Sequence, residues 1–237
     1  MNGTSGYEEA AAQGLIAGAN AALRLLKKEP IILSRNQAYL GVLIDDLITK
    51  DINEPYRMFT SRAEHRLSLR SDNAAIRLTE RAHVTGLITN KQYSIFSKHR
   101  NSVNEIKHLC KKTLLSTNGK KVLLSNYLKR PESSIYDEGV DKNIIKNHSP
   151  ESIFTAETDI KYEGYVKIEN MRVKKIKKMD LINIPKDFDY NSLQCLSLES
   201  REKLLGVLPE TLGQASRIAG VRPSDVGVLA IFLKSSP

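Results

Sequence analysis

The chain has 237 residues, 41% hydrophobic and 27% charged, a soluble globular composition with room for one large domain or two small ones. No apolar run approaches the roughly 20 residues that cross a bilayer, no basic-then-apolar leader opens the sequence, and two cysteines, Cys110 and Cys195, are too few for a disulfide framework or a four-thiolate zinc site, so a cytoplasmic setting with reduced thiols is expected. The formal charge of +9 favours an anionic partner, nucleic acid being the usual one.

Residues 7–28 read as a helix, with Glu8 and Glu9 in the first turn, Lys27 and Lys28 in the last, and Pro30 beyond. Gly14 and Gly18 are four apart, on one face. Two helical glycines cost about 1 kcal/mol each relative to alanine, so close approach of another backbone, and a helix built for burial, are expected. A second helix spans 36–49 with Leu40, Leu43, Ile44 and Leu47 as its apolar stripe. Over 55–70 the alternation in Arg66-Leu67-Ser68-Leu69-Arg70 suggests a small hairpin or strand pair. Asp72 is placed to cap a helix over 73–84 that Gly86 ends. Residues 89–112 form an amphipathic helix with Tyr93, Phe96, Val103, Ile106 and Cys110 near one face. Residues 113–150 are broken by Gly119, Pro131, Gly139 and Pro150. Residues 151–179 are charged and largely helical, with Gly164 a weak point, and 186–237 form short helices, with Ser197 as a cap and Pro209 and Pro223 at helix starts.

The expected fold is mainly α, a helical carboxy-terminal region with a small β element near 55–70. Three segments are expected: 1–88, 89–185 as a helical domain, and 186–237 as a small helical subdomain.

The charge is uneven: net +1 over 1–90, +8 over 91–180 and zero over 181–237. The lysine-rich middle fits either a solvated surface or a nucleic-acid face. Six arginines crowd 57–81. Arginine forks suit phosphate, and the interleaved Tyr56, Phe59 and His65 can stack on unpaired bases. The alternative is a buried ion-pair network with Glu54, Glu64 and Asp72.

The loop Asn2-Gly3-Thr4-Ser5-Gly6 runs into a helix N-terminus. That end suits an anion or a carbonyl-rich ligand, or is an ordinary helix start. No Gly-x-Gly-x-x-Gly or Walker loop is present. The five histidines lack metal-ligand spacing, neither cysteine has an activating setting, and no catalytic residue is assigned. Around Ser216–Gly220 the spacing has a helix-turn-helix cadence, but the following helix is apolar, as a packing or partner-docking module would be.

Asn2 through Gly14, the run 54–73, Lys161-Tyr162-Glu163-Gly164-Tyr165 and Leu212-Gly213-Gln214-Ala215-Ser216-Arg217-Ile218 resemble, in order, landmarks of the glucose-inhibited division protein A family. These are the large subunits of a tRNA uridine 5-carboxymethylaminomethyl modification enzyme. The resemblance is to the family's carboxy-terminal part, beginning inside the flavin domain, without the FAD fingerprint, the NADH-binding part or the catalytic cysteines. It implies modification at C5 of wobble uridine 34 in tRNA, using FAD and NADH with the GTPase MnmE, in a homodimer. By analogy Asn2, Gly3, Gly6 and Tyr7 lie near the flavin, Arg57, Arg62, Arg66 and Arg70 face tRNA or support the active-site cleft, and 186–237 docks MnmE or tRNA. The chain alone is then expected to be inactive and to hold no cofactor. The alternative is a free-standing helical nucleic-acid or protein-interaction module with no flavin link.

Overall fold

A computed structural model describes residues 3–50, 52, 54–117 and 119–235, the side chains of 175–177, 180, 234 and 235 excepted. Asn2, expected at the flavin, lies outside the described residues. The fold is mainly α. The helices are α1 (Tyr7–Leu25), α2 (Tyr39–Thr49), α3 (Ala74–Val84), α4 (Asn90–Lys112), α5 (Leu124–Tyr127), α6 (Lys142–Asn147), α7 (Pro150–Asp180), α8 (Leu198–Val207), α9 (Leu212–Ala215) and α10 (Pro223–Ser235). A two-stranded antiparallel sheet pairs β1 (Leu114–Thr117) with β2 (Lys120–Leu123), Leu115 opposite Val122.

The chain divides into two compact units interleaved in sequence. One gathers 1–15, 33–63 and 169–237; the other gathers 16–32 and 64–168. In the second unit, α4 turns Val103, Ile106 and Cys110 inward against Leu115, Leu124, Leu128, Ile153 and Ile160. That stripe follows the helical period, and Thr89 starts the helix with a reciprocal capping box to Gln92. In the first unit, Tyr190, Leu193, Leu204, Leu212 and Leu229 form a separate core. Among the described residues no helix is long and apolar enough to cross a membrane.

The small β element is not at 55–70. That stretch holds one isolated bridge, Thr4 to Tyr56, and then a series of turns. The amide of Arg62 donates to the Phe59 carbonyl, and those of Ser68 and Leu69 donate to the His65 carbonyl, with His65 at φ +53°. Period-two alternation needs a neighbouring strand to become a sheet, and here the alternating residues sit in turns. The sheet falls instead inside the stretch read as broken.

Further expectations change. Asp72 does not cap α3: Asn73 occupies the N-cap position, and the Asp72 carboxylate is held by Arg70. Pro209 starts no helix. It follows the left-handed C-cap of α8 at Leu208, φ +48°, and α9 begins later, behind a capping box from Thr211 to Gln214. Helix α1 is mostly exposed: only Ala19 and Leu23 are buried, Leu15 and Leu25 are 60% and 86% exposed, and a Cβ at Gly18 would meet nothing within 4 Å among the described residues. Gly164 does not interrupt α7.

Candidate cofactor-facing and nucleic-acid site

The loop before α1 and the arginine-rich segment are joined directly. The Ser5 amide donates to the Tyr56 carbonyl at 3.2 Å, and the Tyr56 amide donates to the Gly3 carbonyl. One turn into α1, Glu9 Oε1 accepts from the Met58 amide at 2.9 Å. That bond, then the residue's own amide, holds the Glu9 carboxyl below its ordinary range. Gly6 makes this possible. Its carbonyl accepts the first helical bond, from Ala10 at 3.0 Å, and a side chain there would collide with the Glu9 carboxylate. Gly3 stands at φ +75°, where a Cβ would also press on Leu47.

Beneath this seam lies a buried charge network. Asp46, with its side chain fully buried, accepts from Arg35 Nη1 at 2.7 Å, Lys50 Nζ at 2.8 Å and the Tyr56 hydroxyl at 3.0 Å. Burial pushes its pKa up, but the hydrogen bonds from Lys50 and Arg35 together outweigh it and hold the carboxyl low. Burial, then the neighbouring Asp46 charge, pushes the Tyr56 phenol far up, so it stays a donor. Arg35 Nη1 also reaches Asp45 Oδ2 at 2.7 Å, and Arg217 Nε lies 3.2 Å from the same oxygen. A residue just after α9 is thereby pinned to α2. Sequence reasoning missed this network. Its signal was an Asp45-Asp46 pair set inside an apolar stripe, where an unpaired carboxylate is costly.

Against this seam sits a cavity of about 480 Å³. Leu40, Leu43 and Met58 give it an apolar wall, and Glu8, Glu9 and Arg57 bring charge to it. Tyr7 is 92% exposed, and Thr4 Oγ1 is buried with no hydrogen-bond partner among the described residues. The α1 start already carries the Glu9 carboxylate, which disfavours a second anion there. A neutral, carbonyl-bearing ligand suits this end better than an anion, with the helix dipole and the exposed Tyr7 ring as the groups it presents.

The six arginines separate into different roles. In the first unit, Arg57 is exposed, and Arg62 pairs with Glu54 at 3.2 Å and lies 4.9 Å over the Tyr56 ring. In the second unit, Arg66 is exposed with no ion-pair partner among the described residues. Arg70 is engaged on every side: it forks onto Asp72 at 2.9 and 3.0 Å, reaches Asp159 at 2.6 Å and donates to the Leu67 carbonyl at 2.9 Å. Arg77 donates to Asn73 and the Arg70 carbonyl, and Arg81 to the Ile32 carbonyl. The ion-pair alternative is realised at Arg70 and, nearer the surface, at Arg62, while Arg57 and Arg66 are left exposed. Of the aromatic residues expected to stack, Tyr56 is fully buried, Phe59 is 52% exposed, and the His65 side chain is only 16% exposed, 3.9 Å from Glu64. Only Phe59 among them presents an open ring.

The cysteines are a buried Cys110 and an exposed Cys195. Burial, then Glu157, pushes the Cys110 thiol up to about 11, so it is inert packing. Among the described residues no cluster of histidine, cysteine and carboxylates could hold a metal ion.

Three family models match the chain. Glucose inhibited division protein A matches residues 1–29, the tRNA modifying enzyme MnmG/GidA C-terminal helical domain 90–170, and the MnmG/GidA C-terminal helical bundle 172–237. The tRNA uridine 5-carboxymethylaminomethyl modification enzyme MnmG of Latilactobacillus sakei is 43% identical over 99% of this chain and 40% of its own length. The protein of the same name from Geobacter sulfurreducens is 45% identical with the same coverages. Aquifex aeolicus GidA in its form II crystal superposes with a TM-score of 0.77 at 38% identity, over 98% of this chain and 39% of that one. The chain thus spans about 40% of the length of these relatives. It belongs to the MnmG/GidA family and corresponds to that family's carboxy-terminal part.

Proposed function

We propose that this chain is the tRNA- and partner-binding portion of a cytoplasmic enzyme that installs a carboxymethylaminomethyl, or aminomethyl, group at C5 of wobble uridine 34. The observation that carries the reading is the end-to-end match, over 99% of the chain, to relatives named for tRNA uridine modification. The site geometry supports it. The glycine loop at the start of α1 and the first arginines are hydrogen-bonded into one piece, so a cofactor at one would be held beside an RNA at the other.

In this reading Gly3, Gly6 and Tyr7, with Asn2, would meet FAD, which supplies the redox chemistry when bound; NADH would be its reductant. No residue here is assigned to NADH, and none is catalytic. The chain's own residues bind and orient. Arg57 and Arg66 are exposed for phosphate, and Phe59 offers a ring for an unpaired base. Arg62 acts from its pair with Glu54. Arg70 shapes the segment from within its carboxylate network rather than touching RNA. Segment 1–88 would thus serve cofactor and RNA, 89–185 would form the helical body, and 186–237 would dock the GTPase MnmE or tRNA, in a homodimer of the longer protein.

Titration of the full chain with tRNA across a salt series tests this. Affinity should fall steeply and linearly on a log–log plot; salt-independent binding, or none, overturns the reading. Titration of the purified chain with added FAD separates it from a module with no flavin link. The chain alone is expected to be colourless but to bind added FAD weakly near Tyr7, and failure of any added flavin to perturb Tyr7 removes the cofactor assignment.

A further inference from the structure

The second unit carries a charge arrangement that the arginine segment does not account for. On α7, Asp159 and Glu163 are four apart and share a face. Glu163 receives Lys129 Nζ at 2.8 Å and Lys111 Nζ at 3.9 Å. Asp159 receives Lys107 Nζ at 2.9 Å and Arg70 Nη2 at 2.6 Å. Each carboxylate therefore serves two cations, and among the described residues Asp72 is the one further acid paired into the cluster, on Arg70. The cluster is short of negative charge.

Lysines in the last turn of α4 have an ordinary use against the helix dipole. That does not explain Lys129, which arrives from beyond α5 onto the same carboxylate. The outer half of the cluster is wet: the side chains of Lys111, Lys129 and Glu163 are 59%, 44% and 50% exposed. Exposed pairs of this kind are weak, so a stronger anion can displace Glu163. Lysines from two elements held in one place, with an internal carboxylate as a stand-in, make a contact for a diester phosphate.

We infer that Lys111 and Lys129, gathered by Glu163, grip the sugar-phosphate backbone of an RNA, with Glu163 as the anion that the phosphate replaces. This rests on the tRNA reading and adds a second contact to it. Backbone charge at this place carries no sequence information, so the clamp would position the RNA without selecting it.

The test uses the full chain and labelled tRNA in anisotropy titrations across a salt series. Lys111→Gln/Lys129→Gln should weaken binding roughly tenfold at low salt and flatten the log–log slope by about 1 to 2. Glu163→Gln should act oppositely, tightening binding roughly threefold with a steeper slope. A gain of binding cannot come from misfolding. Unchanged affinity and slope in the double variant, or weaker binding by Glu163→Gln, overturns the inference. If Arg57→Ala weakens binding while the lysine pair does not, the clamp fails and the tRNA reading stands. If the unmodified chain binds no tRNA, both fall. Polyglutamate of matched charge is the control: tighter binding than tRNA, with the same lysine dependence, would assign the clamp to an acidic protein and overturn the RNA assignment.

Discussion

The Met58 amide donates to Glu9 Oε1 at 2.9 Å across 49 residues of sequence, and this bond ties the start of α1 to the chain beside Arg57, the first of the arginines. The carboxyl is held low first by that bond and then by its own amide. A group with a depressed folded pKa stabilises the fold fully above its unfolded value, near 4.3, and loses that contribution as pH falls through the folded value. Glu9→Gln keeps an acceptor oxygen but loses the charge. It should cost about 1 kcal/mol at pH 7 and nothing once the wild-type carboxyl is protonated, so urea titrations of the two proteins should converge in acid. A cost that persists unchanged at low pH would show that the charge is not what joins them.

Asp46 should be far less forgiving. It is fully buried and takes three donors, from Arg35, Lys50 and Tyr56. Asp46→Ala would leave the buried Tyr56 phenol and the Lys50 ammonium without this acceptor and strip Arg35 of one of its two carboxylates, a loss of about 3–5 kcal/mol. Tyr56→Phe removes one donor and leaves two, and should cost roughly 1 kcal/mol. Denaturant midpoints decide the order. If the phenylalanine variant were the more damaged, the weight of the network would lie in the ring and not in the carboxylate. Asp46 is also held low, so its share of stability is present at neutral pH and fades in acid, in step with Glu9.

The arginines should divide by assay. Arg57→Ala and Arg66→Ala remove exposed side chains and should leave the melting temperature within a degree or so, while each weakens tRNA binding several-fold and flattens the salt slope by about 1. Arg70→Ala strips Asp72 of its partner, leaves Asp159 with Lys107 alone, and should cost roughly 3 kcal/mol of stability. Any binding it loses should follow unfolding. A stable Arg70→Ala protein with poor RNA affinity would move Arg70 to the interface.

The contrast between Arg66 and Arg70 marks where sequence reading stops. An excess of arginine over 57–81 is visible at a glance, because it is a local count. Which of them are spoken for is set by Asp159, 89 residues away, and no local pattern carries that distance. Helix α4 was legible because its apolar period is local, and α7 because its long charged run holds no proline after Pro150. The hairpin from Leu114 to Leu123 was not. Its four-residue strands are too short for alternation to stand out, and the more conspicuous alternation at 66–70 drew the strand prediction to turns. Asp72 looked like a cap because aspartate before a helix usually is one, but an arginine two residues earlier holds its carboxylate. The start of α1 was legible as a helix N-terminus, but the Glu9 carboxylate turned back upon it was not, since that depends on where Met58 lies.

The last helix separates packing from docking. Within α10, Val226 and Leu229 are buried with Leu204 and Leu212, whereas Ile231 and Phe232 are 68% and 46% exposed. Helix α9 has only four residues, so the helix-turn-helix cadence serves a small core and not a DNA-reading pair. Leu229→Ala should open a cavity and cost about 2–5 kcal/mol, read as a lower melting temperature. Ile231→Asp or Phe232→Asp should leave the fold close to its original stability, since charge placed on an exposed helical position disturbs little. If 186–237 docks the GTPase, these outward substitutions should abolish its capture while tRNA affinity stays unchanged. Loss of tRNA binding with GTPase capture retained would assign the same face to RNA.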